Sequence, residues 1–124
     1  MAAYRLEHVG IVIPPEKREA TMQFYESVFG WRLVREMPGV AFIGDGSGGR
    51  IEFLFNDKGP MAPPNHLAFS VSLDEFDSLM EKVKATGAPS EPPVDTPAGD
   101  RLFWFFDPAG TRVQTVGRAN PLPE

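Results

Sequence analysis

From Tyr4 to Ile13 apolar positions follow a two-residue period. Val9, Ile11 and Ile13 fall on one face, and Leu6, His8, Gly10 and Val12 on the other, which predicts a strand. Pro14-Pro15 ends it, and Pro15 is suited to opening a helix because the first turn does not need its N–H. Ala20, Phe24 and Val28, with Thr21 and Tyr25, then recur at helical spacing, and Gly30 is the expected stop. Strands are predicted at Trp31 to Met37, Val40 to Gly44 and Arg50 to Phe55, with turns at Pro38-Gly39 and from Asp45 to Gly49.

The pattern then starts again. Asn65 to Ser72 alternates as a strand, with Leu67, Phe69 and Val71 on one face and His66, Ala68 and Ser70 on the other. Ser72-x-x-Glu75 has the spacing of a capping box, and Phe76, Leu79, Met80 and Val83 form a helical stripe that ends at Gly87. A short strand is expected within the proline-rich stretch from Ala88 to Pro97. Two more, Arg101 to Phe106 and Thr111 to Val116, are joined by the turn Asp107-Pro-Ala-Gly110. Each half therefore reads strand–helix–strand–strand–strand, and an internal repeat of this kind governs the fold. The expectation is one domain over residues 1–124, built from a module at about 4–56 and another at about 65–117. The linker runs from Asn56 to Pro64.

Composition narrows the function. Lys and Arg number 12 against 17 Asp and Glu, a net charge of -5, so counterion release gives no drive toward nucleic acid. There is no cysteine, which removes disulfides, thiolate metal ligands and a thiol nucleophile. The longest wholly apolar run, Leu102 to Phe106, is far too short for a membrane span. The start, MAAYRLEH, lacks the basic and apolar regions of a signal peptide, and a cytoplasmic location is expected.

Strand alternation sets Glu52 on the face opposite Ile51, Phe53 and Phe55. It likewise turns His8, His66 and Gln114 away from their apolar neighbours. His8 and His66, the only histidines, lie 58 positions apart, and Glu52 and Gln114 lie 62 apart. Taken singly, each is more readily a solvated strand residue than a ligand. These four read as the only polar groups that the repeat sets on the inner face of a first or last strand. Two imidazoles, a carboxylate and an amide oxygen suit a borderline divalent cation such as Zn, Ni, Co, Mn or Fe. Positions left open on such a cation would admit a chelating substrate. Phe103-Trp104-Phe105-Phe106 reads as core on one face and as pocket lining on the other. Gly46-x-Gly48-Gly49, with no following lysine, reads as a hairpin turn rather than a phosphate loop.

The segments HVGIVI at His8, FYESVFGWRLV from Phe24 to Val34, IEFLF around Glu52, HLAFSV at His66 and FFDPAGTRVQTV from Phe105 to Val116 carry a resemblance. Together they resemble the vicinal oxygen chelate superfamily. It holds glyoxalase I, bleomycin-resistance proteins, extradiol dioxygenases, fosfomycin-resistance enzymes and methylmalonyl-CoA epimerase. The resemblance spans Leu6 to Gly117. It implies an α+β fold in which two βαβββ modules form a curved mixed sheet around a cavity. It also implies a metal held by residues matching His8, Glu52, His66 and Gln114. The usual ending of the family is DPxGNxxE, whereas this chain reads DPAGTRVQ, with Thr111 for Asn and Gln114 for Glu. Glutamine can ligate through its oxygen but does not accept a proton at neutral pH, which leaves Glu52 as the catalytic base.

The function expected from this resemblance is a metal-dependent lyase or isomerase of the glyoxalase I type. Glu52 would take the proton next to the carbonyl of a chelated small-molecule substrate, with the metal stabilising the developing oxyanion. One alternative is a metal-free binding protein of the bleomycin-resistance kind, in which Trp31, Trp104 and the acidic balance receive a cationic aromatic ligand. Another is an extradiol-type dioxygenase. A homodimer is expected, with no nucleic acid or membrane partner.

Overall fold

The computed structural model describes residues 4–56 and 65–124, so the expected linker lies outside the described residues except for Asn56. The element order is β1 (Arg5–Ile13), α1 (Arg18–Phe29), β2 (Arg32–Met37), β3 (Val40–Gly44), β4 (Arg50–Phe55), β5 (His66–Ser70), α2 (Phe76–Ala85), β6 (Val94–Asp95), β7 (Arg101–Phe106) and β8 (Arg112–Gly117). The chain divides into two compact units. One takes in His8–Asn65 with Leu122–Glu124, and the other takes in His66–Pro121 with the described residues up to Glu7.

In the first unit the strands lie in the order β2-β3-β4-β1. β1 runs parallel to β4, with Gly10 opposite Glu52 and Ile11 opposite Phe53, while β3 is antiparallel to both β2 and β4. A parallel pair needs a crossover between its strands, and α1 with the β2–β3 hairpin supplies it. Gly39 takes φ 77 in that hairpin, a left-handed turn conformation that favours glycine. In the β3–β4 turn Asp45 Oδ1 accepts the backbone N–H groups of Ser47 (2.7 Å) and Gly49 (2.9 Å). The Gly46–Gly49 stretch is thus a hairpin turn, as expected.

The second unit repeats this arrangement with the order β5-β8-β7-β6. β5 is parallel to β8, and β7 is antiparallel to β6 and β8. Its β7–β8 turn uses the same device, Asp107 Oδ1 accepting the N–H groups of Ala109 and Thr111 at 2.9 Å each. Phe76, Met80, Val71 and Phe103 form the buried core beneath α2, with Leu79, Val83 and Phe105 packed against it. Phe103 is fully buried, a burial that contributes about 2–3 kcal/mol. The α+β expectation of two βαβββ modules therefore holds, and the aromatic run does put one face into the core.

Several local expectations are corrected. β1 starts at Arg5 rather than Tyr4, whose ring packs with the α2 core instead. β2 starts after Trp31, and β5 covers His66–Ser70 rather than Asn65 to Ser72. β8 runs Arg112–Gly117, because Thr111 is spent on the Asp107 turn. Each helix is entered through a short 3₁₀ turn, Pro15–Lys17 and Leu73–Glu75. Ser72 makes no side-chain capping bond, since the tighter turn satisfies Glu75 N–H with the Ser72 carbonyl at 3.1 Å. The expected stripe of α1 meets the sheet only in part. Phe24 and Val28 are more than half exposed, and Tyr25 meets the sheet, its ring 5.5 Å from that of Phe53. Among the described residues no helix is long and apolar enough to cross a membrane.

Candidate functional site

Register determines which side chains share a strand face. On the face of the first unit away from Phe53, Gly10 of β1 lies opposite Glu52 of β4, and Glu52 lies opposite Phe42 of β3. His8, two residues before Gly10, is on the same face. The structure brings His8 and Glu52 together, with Nε2 of the imidazole 3.4 Å from Oε1 of the carboxylate. His8 is buried, Glu52 is nearly so, and Phe42 sets its ring edge-on to His8 with centroids 5.2 Å apart.

The second unit carries the equivalent row. Ala68 of β5 lies opposite Gln114 of β8, which lies opposite Trp104 of β7, and His66 stands two residues before Ala68. His66 and Gln114 are both buried, and Trp104 is edge-on to His66 with centroids 4.7 Å apart and planes at 84°. Each unit thus presents one buried imidazole, one oxygen-bearing side chain and one aromatic ring that fixes the imidazole's tilt. The Phe42 ring is a part of this row that strand alternation alone had not singled out.

The donor chemistry can be tested against a cation. The separation of 3.4 Å in the His8–Glu52 pair is beyond the usual N–H···O range. Two atoms each about 2.1 Å from one cation can stand up to about 4.2 Å apart, so the pair is close enough to share an ion. Neutral imidazole and carboxylate are suitable donors for the borderline divalent metals, and Gln114 offers a neutral oxygen.

One expectation is corrected. The four predicted residues are not the only polar groups on these faces. Arg50 and Arg112 stand two residues before Glu52 and Gln114 and share their faces. An offset of 62 relates Phe42 to Trp104, Asp45 to Asp107, Arg50 to Arg112 and Glu52 to Gln114. That shared offset was the sequence signal for the arginines and the aromatic rings.

A family model described as the Glyoxalase/Bleomycin resistance protein/Dioxygenase superfamily matches residues 5–115. The chain belongs to this superfamily. Solved structures agree on the fold of this superfamily member. A hypothetical protein, BH1468, from Bacillus halodurans C-125 is 20% identical with a TM-score of 0.74, the match covering 96% of this chain and 97% of the other. Methylmalonyl-CoA epimerase from Mycobacterium tuberculosis is 21% identical with a TM-score of 0.71, over 93% of this chain and 88% of that one. Methylmalonyl-CoA epimerase from Streptomyces coelicolor, in complex with 2-nitronate-propionyl-CoA, is 19% identical with a TM-score of 0.70, over 99% and 100%. No curated protein matches by sequence. The similarities establish the glyoxalase-like fold of the superfamily member, and its chemistry has to be argued from its own residues.

Proposed function

We propose that this superfamily member is a metal-dependent lyase or isomerase that moves a proton next to a carbonyl, with His8, Glu52, His66 and Gln114 as the metal ligands. The observation that carries this reading is the His8–Glu52 pair at 3.4 Å, a buried imidazole beside a nearly buried carboxylate. The register-equivalent His66 and Gln114 of the second unit support it. These donors would hold a divalent cation, which would supply a Lewis acid for two adjacent oxygens of a substrate. Glu52 is the one carboxylate in the set, so it is the group that takes and returns the proton. Gln114 contributes its oxygen and stays neutral. His8 and His66, fixed edge-on to Phe42 and Trp104, hold their ring orientations through the cycle. An epimerase of a CoA thioester, the activity named for two of the fold relatives, is chemistry of this type, and it supports proton transfer over oxygen insertion. Lactoylglutathione-type lyase activity is the other member of the class.

The metal-free alternative needs a free aromatic face for a cationic ligand. The Trp104 ring already carries the Arg112 guanidinium, 4.4 Å from its centroid, which favours the metal reading. The test begins with metal analysis of the purified protein. Glu52→Gln should keep much of the metal, because an amide oxygen still coordinates. It should lower turnover about a hundred- to ten-thousand-fold on thioester and hydroxy-carbonyl substrates. A protein that takes up no divalent metal, or a Glu52→Gln variant with wild-type turnover, would overturn the assignment.

The same proposal includes a homodimer. No residue of α1 is buried, and Phe24, Val28 and Phe29 are all more than half exposed, whereas the equivalent helix α2 buries Phe76 and Met80. An apolar face of this kind is suited to isologous burial between two copies. Light scattering at micromolar concentration should give twice the chain mass, and a monomer would refute it.

A further inference from the structure

Arg50, Arg112 and Arg118 present the same edge of the guanidinium, the Nε–Nη2 side, and two of them use it fully. Arg118 gives Nε–H and Nη2–H to the two carboxylate oxygens of Glu7, both at 2.9 Å. Arg50 gives Nε–H to the Pro123 carbonyl (2.9 Å) and Nη2–H to the Leu122 carbonyl (3.1 Å). Arg112 is the repeat equivalent of Arg50, yet its edge is half used. Nη2–H goes to Oε1 of Glu91 at 3.0 Å, while Nε is buried and has no hydrogen-bond partner among the described residues.

The reason lies in what each module places beside its arginine. Arg50 pairs in register with Gly44, and a side chain there would meet the Glu124 carbonyl at 2.8 Å, so the C-terminal tail fits against the glycine and offers its carbonyls to Arg50. Arg112 pairs in register with Phe106. Its guanidinium lies over Trp104 and Phe106, 4.4 and 5.8 Å from the ring centroids. Among the described residues no backbone carbonyl accepts from Arg112 Nε as Pro123 does from Arg50 Nε. An unsatisfied donor on a buried charged group destabilises the fold, and a retained one calls for an explanation in function. The aromatic platform holds the guanidinium in place, and Glu91, half exposed, is a displaceable partner. Trp104 touches both Arg112 and His66, so the half-used edge lies one indole away from a proposed metal ligand.

Resting on the metal-centred reading above, we propose that Arg112 binds a carboxylate of the substrate through its Nε–H and Nη2–H, with Glu91 displaced. The substrates are then acids that carry a carboxylate besides the chelating oxygens. A planar two-oxygen acceptor matches the fork, as Glu7 does for Arg118.

The test uses malate and lactate, which share a hydroxy-acid chelating end and differ in the second carboxylate. Each is titrated into the full chain, with and without Zn, while the Arg112 Nε–H resonance is followed by heteronuclear NMR and affinity by calorimetry. The resonance is assigned by its loss in Arg112→Lys. Malate should shift it saturably and bind at least about tenfold more tightly than lactate. Arg112→Lys and Arg112→Gln should each erase that preference and leave lactate binding unchanged. Glu91→Gln should strengthen malate binding by removing the competing carboxylate. An unmoved Nε–H resonance, or a preference that survives both Arg112 variants, would overturn the proposal. Absence of Zn binding with the Nε–H shift intact would overturn the metal reading alone.

Discussion

Replacing Arg118 with methionine tests the energetics of the second unit most directly. Its guanidinium makes two charge-assisted hydrogen bonds to Glu7 and a third, at 3.2 Å, to Oδ2 of Asp100. Arg118 and Glu7 are 10% and 6% exposed, so the pair is essentially out of water. Removing one partner of such a pair costs about 3–5 kcal/mol, because the remaining carboxylate loses both charge-assisted bonds while it stays buried. Two features of the structure place the cost at the lower end. Oδ1 of Asp100 keeps its bond from the Ala119 N–H at 2.9 Å. Arg118 also walls a groove of about 430 Å³ with Arg5, Ser70 and Leu73, through which water can reach Glu7 once the guanidinium is gone. About 3 kcal/mol is expected. With a urea m-value of about 1.5 kcal/mol/M, the midpoint should fall by about 2 M. The double replacement Glu7→Met with Arg118→Met removes the stranded charge, and it should be more stable than Arg118→Met alone by about 2 kcal/mol. A loss below about 1 kcal/mol in Arg118→Met, or simple additivity of the two single changes, would show that the pair is solvated in solution and that this reasoning is wrong.

Gln114→Glu should be tolerated, since the side chains have the same shape. It should tighten divalent metal binding, measured by chelator competition, and a weaker-binding variant would count against Gln114 as a ligand. Asp45 has its carboxyl held below the usual carboxylate range, first by the N–H of Ser47 and then by that of Gly49. Its contribution is therefore fully present above the ordinary aspartate value of about 3.9 and is lost as pH falls through the lowered value. Asp45→Ala should lower Tm at neutral pH, and the gap from wild type should close in strong acid. A gap that widens there would reverse the sign of the argument.

Much of this architecture was legible in the chain itself. Val40–Gly44, Arg50–Phe55 and Arg101–Phe106 have the strand bounds expected from alternation and flanking turn residues. The α2 stripe of Phe76, Leu79, Met80 and Val83 packs as its spacing predicts. The repeat was legible because both modules use the same turn chemistry and the same alternation, and these are local properties of the backbone and side chains. For the site, alternation correctly put His8 and Glu52 on one face of the first module, and His66 and Gln114 on one face of the second.

Alternation assigns a residue to a face but does not choose its neighbour across the sheet. That choice depends on register between strands far apart in sequence. It put Phe42 beside His8, Trp104 beside His66, and the Leu122 and Pro123 carbonyls on Arg50, while Arg112 Nε has no partner among the described residues. Alternation gave no sign that Glu7 is buried, where it accepts hydrogen bonds from a guanidinium 111 positions away. The exposure of Phe24 and Val28 was settled in the same way. Helical periodicity gives α1 two candidate faces, and the one that docks is the one whose Tyr25 finds Phe53 across the gap. The sequence by itself therefore determined the elements, their faces and the repeat, since these follow from short-range sterics and periodicity. The tertiary structure decided partners, burial and which polar groups remain for a ligand, because those depend on contacts that form only when distant segments meet.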